Sequence, residues 1–129
     1  METVYEFFKN NPVFFIATLD GDQPKNRPFG AVAKFDGKLY ICTNNTKNVF
    51  KQIEKNTNIE IAALNKEGGW FRLEAKAIVD KRAEAKQAML DQNPNLTKMY
   101  KVDDGIFEVL YLADATATFM NDNPKTIKF

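Results

Sequence analysis

The sequence predicts a mainly β domain with short helices (α+β), built on six antiparallel strands. Three observations carry that expectation. Apolar and polar residues alternate in short runs, most plainly Phe71, Leu73, Ala75 and Ala77 against Trp70, Arg72, Glu74 and Lys76. Asp20-Gly21-Asp22 and Asp36-Gly37 fall between such runs as hairpin signals. Apolar residues at helical spacing occur only in brief stretches between the strands. An open six-stranded sheet would expose its edges, so closure into a small barrel is expected.

Taken in order, Glu2 to Asn10 places Val4, Tyr5, Phe7 and Phe8 on one side of a helix that Asn10-Asn11-Pro12 ends. Val13 to Leu19 is the first strand. Arg27, Phe29, Ala31, Ala33 and Phe35 alternate with Pro28, Gly30, Val32 and Lys34 as the second, and Leu39 to Thr43 is the third. Val49, Phe50 and Ile53 predict a short helix over Lys47 to Lys55, capped by Thr46 or Asn45. Ile59 to Leu64 and Trp70 to Val79 are strands four and five. Asp80 can cap a helix from Lys81 to Gln92, and Pro94 opens a second helical piece ending near Lys101. Ile106 to Met120 is the last strand, bent or bulged near Asp114, followed by a polar tail from Asn121 to Phe129.

The 129 residues suit one domain spanning 1–129. An apolar share of 44% with eleven Phe supports a core without disulfides or metal staples. Lys and Arg number 18 against 17 Asp and Glu, a net charge of +1, which argues against a nucleic-acid partner. There is no histidine, which removes the commonest general base, the commonest zinc ligand and every Ser-His or Cys-His nucleophile. No metal site is expected. The single cysteine, Cys42, fits a reducing compartment and reads as a small buried hydrophobe. The longest apolar runs fall far short of the roughly 20 residues of a membrane helix. Met1-Glu2-Thr3-Val4 lacks a basic leader region, so the expected location is cytoplasmic, with no membrane partner.

The sharpest constellation joins Arg27 to Thr43-Asn44-Asn45-Thr46-Lys47-Asn48. A strand end that turns directly into a helix gathers free backbone N–H groups and the positive end of a helix dipole. Hydroxyl residues, Lys47 and the Arg27 fork suit a monophosphate there. An ordinary helix cap beside two solvated cations fits the same residues. Trp70, with Arg72 on its face, could pack on a planar ring or be a half-buried strand aromatic. No Gly-rich loop for a pyrophosphate is present.

These residues carry a resemblance. Ala17-Thr18, Pro24 and Arg27-Pro28-Phe29-Gly30, then Leu39 to Lys47 leading into Gln52-Ile53, then Trp70 to Ala77, are similar in order and spacing to the pyridoxamine 5′-phosphate oxidase-like FMN-binding split-barrel family. The likeness is strongest to its small nitroimidazole-resistance-type flavoproteins. The resemblance implies a split barrel and a homodimer with FMN sites built from both subunits. It implies that Arg27, Pro28, Phe29 and Gly30 run along the flavin, that Cys42 and Thr43 contact it, and that Thr46, Lys47 and Asn48 lie with Asn44 in the phosphate turn. Trp70 falls at a flavin-contacting position, with Arg72 beside it.

Departures are equally specific. Asn48 and Val49 stand where pyridoxamine phosphate oxidase itself carries an Arg-Lys pair, and residues 122–129 lack its C-terminal Trp and Arg. The expectation is therefore an FMN-dependent oxidoreductase of unassigned substrate, not a pyridoxamine 5′-phosphate oxidase. It would work with a small-molecule electron donor, NADH or NADPH among the candidates, and a small-molecule acceptor. A non-enzymatic FMN carrier or sensor is the alternative, and a barrel binding single-stranded nucleic acid is a third reading disfavoured by charge. No residue stands out as an acid–base catalyst.

Overall fold

Side-chain alternation becomes strand geometry throughout the computed structural model, which describes residues 1–120 and 123–129. The elements are α1 (Glu2–Asn10), β1 (Phe14–Asp20), β2 (Gln23–Phe29), β3 (Val32–Phe35), β4 (Lys38–Asn44), α2 (Asn48–Lys55), β5 (Asn58–Leu64), β6 (Trp70–Asp80), α3 (Ala83–Gln92), a 3₁₀ turn (Pro94–Lys98), β7 (Phe107–Met120) and β8 (Lys125–Lys128). On β6, Phe71, Leu73 and Ala77 are buried, while Arg72, Glu74 and Lys76 face out. Phe14, Ile16 and Thr18 of β1 point inward in the same way. Asp36 and Gly37 both take positive φ, 54° and 71°, the pairing that a two-residue hairpin requires.

The sheet is antiparallel in the order β2-β1-β5-β6-β7-β4-β3, with β8 paired to β7. It is not closed. This corrects the expected six-stranded closed barrel in two places. Residues 27–35 do not form one strand: β2 pairs with β1 at one end of the order and β3 with β4 at the other. The break falls at Gly30-Ala31, after Pro28, which has no N–H to donate. Alternation slips there too, since Phe29 packs on the main core while Ala31 packs on a second cluster. The polar tail is likewise partly a strand. Lys125–Lys128 lies along Thr116–Phe119, and Phe129 exchanges both backbone hydrogen bonds with Ala115. Asn121 and Asp122 lie outside the described residues.

The main core fills the wrapped sheet under α1, where Phe8 meets Phe14 at 4.7 Å and Phe71 at 5.3 Å between ring centres. A second cluster packs Met89, Leu90 and Ala85 of α3 against Tyr40, Phe107 and Val109. The expected bulge near Asp114 is present: its φ is 51°, and the β6–β7 register shifts between Glu74 and Lys76. Among the described residues no helix is long and apolar enough to cross a membrane.

An ion network centred on the buried Asp80 and Tyr40, with Arg82 and Asp36 half-exposed, joins the β3–β4 hairpin to the start of α3. The Tyr40 hydroxyl donates to Asp80 at 2.7 Å, and the Arg82 guanidinium donates to Asp80 at 2.9 Å and to Asp36 at 3.3 Å. Asp80 also accepts the Arg82 backbone N–H, but it does not cap the helix as expected: Arg82 is the cap position, no side chain caps α3, and α3 starts at Ala83 rather than Lys81. Hydrogen bonds from Arg82, and then Tyr40, hold the Asp80 carboxyl well below the usual carboxylate range despite burial. Burial, and then the bond to Asp80, pushes the Tyr40 phenol up to about 12. A depressed carboxylate contributes stability above its unfolded value of about 3.9 and loses it as pH falls below that. Asp80→Ala should cost about 1–3 kcal/mol at neutral pH by leaving the buried Tyr40 hydroxyl without its acceptor. Urea denaturation should show the gap to the parent protein narrowing below about pH 4, and a gap that persists unchanged would rule the ionised network out.

Candidate functional site

The break between β2 and β3 leaves a cavity of about 340 Å³. Its walls are the Arg27–Ala31 crossing, the Cys42-Thr43 end of β4, Lys47 and Val49 at the start of α2, and Leu96, Met99 and Tyr100 after α3. Seven of the residues singled out in the sequence meet there: Arg27, Pro28, Phe29, Gly30, Cys42, Thr43 and Lys47. Leu96, Met99 and Tyr100 were not legible as site residues, because only the fold carries residues 94–100 back across β4.

β4 turns into α2 through a hydrogen-bonded loop. The Asn44 side-chain oxygen accepts the backbone N–H of Thr46 at 3.0 Å and also its hydroxyl, an Asx turn. Asn45 is drawn the other way, donating from its side chain to Gly105 O and to Glu108 Oε2, each at 2.9 Å. Glu108 is a buried carboxylate whose other oxygen accepts from Lys81 at 2.8 Å. Neither Thr46 nor Asn45 therefore caps α2, which corrects the sequence expectation. The cap position is Lys47, and no side chain caps the helix. The Phe50 N–H turns back onto Lys47 O at 3.2 Å, and the N–H groups of Asn48 and Val49 before it are left to an external acceptor or to water. Asn48 opens α2 and faces a separate polar groove with Lys51 and Gln52.

Thr43 adds the decisive detail. Its Oγ1 is, among the described residues, the one buried side-chain polar atom without a hydrogen-bond partner. Arg27 behaves differently from expectation. Its guanidinium donates to Ile16 O at 3.1 Å, Thr18 Oγ1 at 2.8 Å and Gln52 Oε1 at 3.0 Å, while Thr18 donates to the same Gln52 oxygen at 2.6 Å. The fork thus ties α2 to β1 and β2 at the cavity wall, and burial lowers its pKa from the ordinary value. Burial pushes the Cys42 thiol up to about 12, against the opposing pull of Lys47. Trp70 and Arg72 lie elsewhere. Trp70 borders an apolar groove with Val13, Phe15, Ala62, Ala63 and Leu64, while Arg72 packs 5.3 Å from the Trp70 ring and 3.8 Å from Glu60.

Residues 1–125 match the family model described as pyridoxamine 5′-phosphate oxidase. The chain belongs to the pyridoxamine 5′-phosphate oxidase family. No curated protein sequence matches it. Among solved structures, a NimC/NimA family protein from Clostridium acetobutylicum is 45% identical with a TM-score of 0.96, the match covering 100% of this chain and 92% of that one. The General Stress Protein 26 of Bacillus anthracis is 17% identical, with a TM-score of 0.80 over 99% of this chain and 97% of that one. A heme binding protein from Mycobacterium smegmatis is 14% identical, with a TM-score of 0.72 over 95% of this chain and 55% of that one. The last two likenesses show the fold of the family.

In this family member the cavity thiol should be chemically quiet. Because its pKa is raised, Cys42 is protonated at neutral and mildly alkaline pH and becomes thiolate only as pH approaches about 12. Iodoacetamide labelling at pH 8 should run on the order of a thousandfold slower than for a free cysteine of pKa about 8.5. Labelling at the free-cysteine rate, followed by mass spectrometry, would refute the assignment.

Proposed function

We propose that this chain binds FMN in the cavity between the β2–β3 crossing and α2, and acts as a flavin-dependent oxidoreductase of the pyridoxamine 5′-phosphate oxidase family. The observation that carries the reading is the unpartnered, buried Thr43 Oγ1, beside Lys47 and the uncapped first turn of α2. A hydroxyl, an ammonium and free helix N–H groups together form the donor set a phosphate monoester needs. Pro28, Phe29, Leu96 and Met99 offer apolar surface to a planar ring in the same cavity. When bound, FMN supplies hydride or electron transfer; the protein residues bind its phosphate, orient its ring and limit water access.

A haem, as held by the mycobacterial heme binding protein, fits these residues less well. The sequence has no histidine, the ligand that most often holds a haem iron. Pyridoxamine 5′-phosphate is also a poor fit as substrate. A second dianion would need further cations, and the cavity-lining cations are Lys47, assigned to FMN, and Arg27, engaged with Thr18 and Gln52.

Two experiments test the reading. Lys47→Ala should weaken FMN binding by about 1.5–3 kcal/mol while leaving riboflavin nearly unchanged. Equal affinity of the parent protein for FMN and riboflavin in fluorescence titration would defeat the phosphate assignment. Anaerobic bleaching of the bound flavin by NADH or NADPH, with reoxidation by an acceptor, separates an oxidoreductase from a carrier or sensor.

The same proposal includes a homodimer. A cavity of about 340 Å³ lies at the lower end of the usual ligand-site range, leaving part of a three-ring cofactor for a second copy to cover. Val13, Phe15 and Leu64 are 60%, 46% and 63% exposed and surround Trp70 in one apolar patch. An obligate pair would bury more than roughly 2,000 Å². Leu64→Glu should convert the dimer to monomer in light scattering and lower FMN affinity at least tenfold. A parent protein that is monomeric with full FMN occupancy would overturn the shared-site model.

A further inference from the structure

Tyr100 of the cavity wall and Asn44 behind it form a polar pair whose direction the structure determines. The Asn44 side-chain oxygen is committed to the turn, accepting from the backbone and hydroxyl of Thr46. Its amide nitrogen consequently points the other way and donates to the Tyr100 phenol oxygen at 3.0 Å. A phenol has one hydrogen to give, and its oxygen here is already an acceptor. The Tyr100 O–H must therefore donate away from Asn44, and among the described residues no acceptor receives it.

The ring that carries this hydroxyl is held in place. It stacks on Phe107 with centres 4.9 Å apart and planes at 27°, and the Tyr100 N–H donates to Leu96 O at 2.9 Å. Tyr100 lines the cavity beside Leu96 and Met99, on the wall formed by the segment after α3. Lys47 and Thr43 serve the phosphate, the Arg27 fork is engaged with β1 and α2, and Cys42 offers only a weak S–H donor.

We propose that Tyr100 is a ligand-binding residue, presenting its O–H to a carbonyl oxygen or ring nitrogen of the planar group held in the cavity, with Asn44 setting the direction of that bond. This rests on the flavin reading and deepens it. It names an oriented donor for the ring, separate from the groups that hold the phosphate. The bonds run one way: Thr46 donates to the Asn44 oxygen, the Asn44 amide donates to Tyr100, and the Tyr100 hydroxyl donates to the ligand.

Replacing Asn44 by Asp puts an acceptor where the amide donor stood. The Tyr100 O–H then turns back onto the carboxylate and is lost to the ligand, although the phenol is intact. Lumiflavin, which carries the ring system and no phosphate, isolates this contact from the phosphate site. Fluorescence titration with lumiflavin should show Tyr100→Phe and Asn44→Asp each weakening binding about fivefold to tenfold. The double variant should be no weaker than either single one, because both remove the same bond. In the ligand-free protein, the Asn44 side-chain amide resonances should move in Tyr100→Phe. Unchanged lumiflavin affinity in Tyr100→Phe, losses that multiply in the double variant, or unmoved Asn44 resonances would each overturn the assignment. Failure of the parent protein to bind lumiflavin or FMN would instead overturn the flavin reading, and with it the ring as Tyr100's acceptor.

Discussion

Two strands adjacent in sequence occupy opposite edges of the sheet, and the rest of the molecule is arranged around that separation. The chain leaves β2 at Phe29 and resumes pairing at Val32, crossing an opening that the other strands curl around. Pro24 and Pro28 lie on β2, the edge strand, where a missing N–H costs no ladder bond. Because the edges do not meet, the sheet keeps a seam, and the seam is where a ligand of some size can enter. A fully closed barrel of this size would have filled its interior with side chains.

Polar groups that face the seam are organised in layers. Arg27, Thr18 and Gln52 bind one another and hold α2 against β1 and β2, so the helix start is delivered to a defined place. Asn45 and the buried Glu108 fasten the preceding turn to β7 from the other side. A buried carboxylate is costly unless paired, and here it receives both an amide and an ammonium. What remains on the walls of the cavity is the buried Thr43 Oγ1 without a partner, the uncapped start of α2 at Lys47 and Val49, and the Tyr100 hydroxyl, whose oxygen accepts from Asn44. Nearly every buried polar group in a folded protein has a partner, and the exception at Thr43 Oγ1 is the observation on which the proposed ligand site rests.

The outer face of β1, β5 and β6 has a different character. Glu60 lies directly opposite Glu74, an unfavourable pairing relieved by Arg72 at 3.8 Å, a surface contact worth little by itself. Farther along the same face, exposed Phe15 and Leu64 flank the half-buried Trp70 in the apolar patch assigned above to the proposed dimer. Seam and outer face thus divide the candidate residues into two groups, Arg27 to Gly30 with Cys42, Thr43 and Lys47 on one side and Trp70 with Arg72 on the other.

Local chemistry explains what was legible. Alternation in residues 70–77 settles which side chains of β6 face inward, and the Asp-Gly steps settle two hairpins, because both signals act over a few residues. The order of the motifs marked Arg27 to Gly30 and Cys42 to Lys47 as neighbours of a single ligand. What the sequence by itself determined is therefore the strand faces, most of the helices, the family resemblance and the list of residues at the strand end. The tertiary structure alone decided that residues 27–35 are two strands at opposite sheet edges, that residues 125–128 pair with β7, and that Thr46 and Asn45 turn away from α2. It also brought Tyr100 to Asn44 and committed Arg27 to Gln52. Apart from the Thr46–Asn44 turn, which closes over two residues, each of these depends on a hydrogen bond or pairing between residues far apart in the chain, and such a bond forms only where the folded backbone brings both partners within about 3 Å.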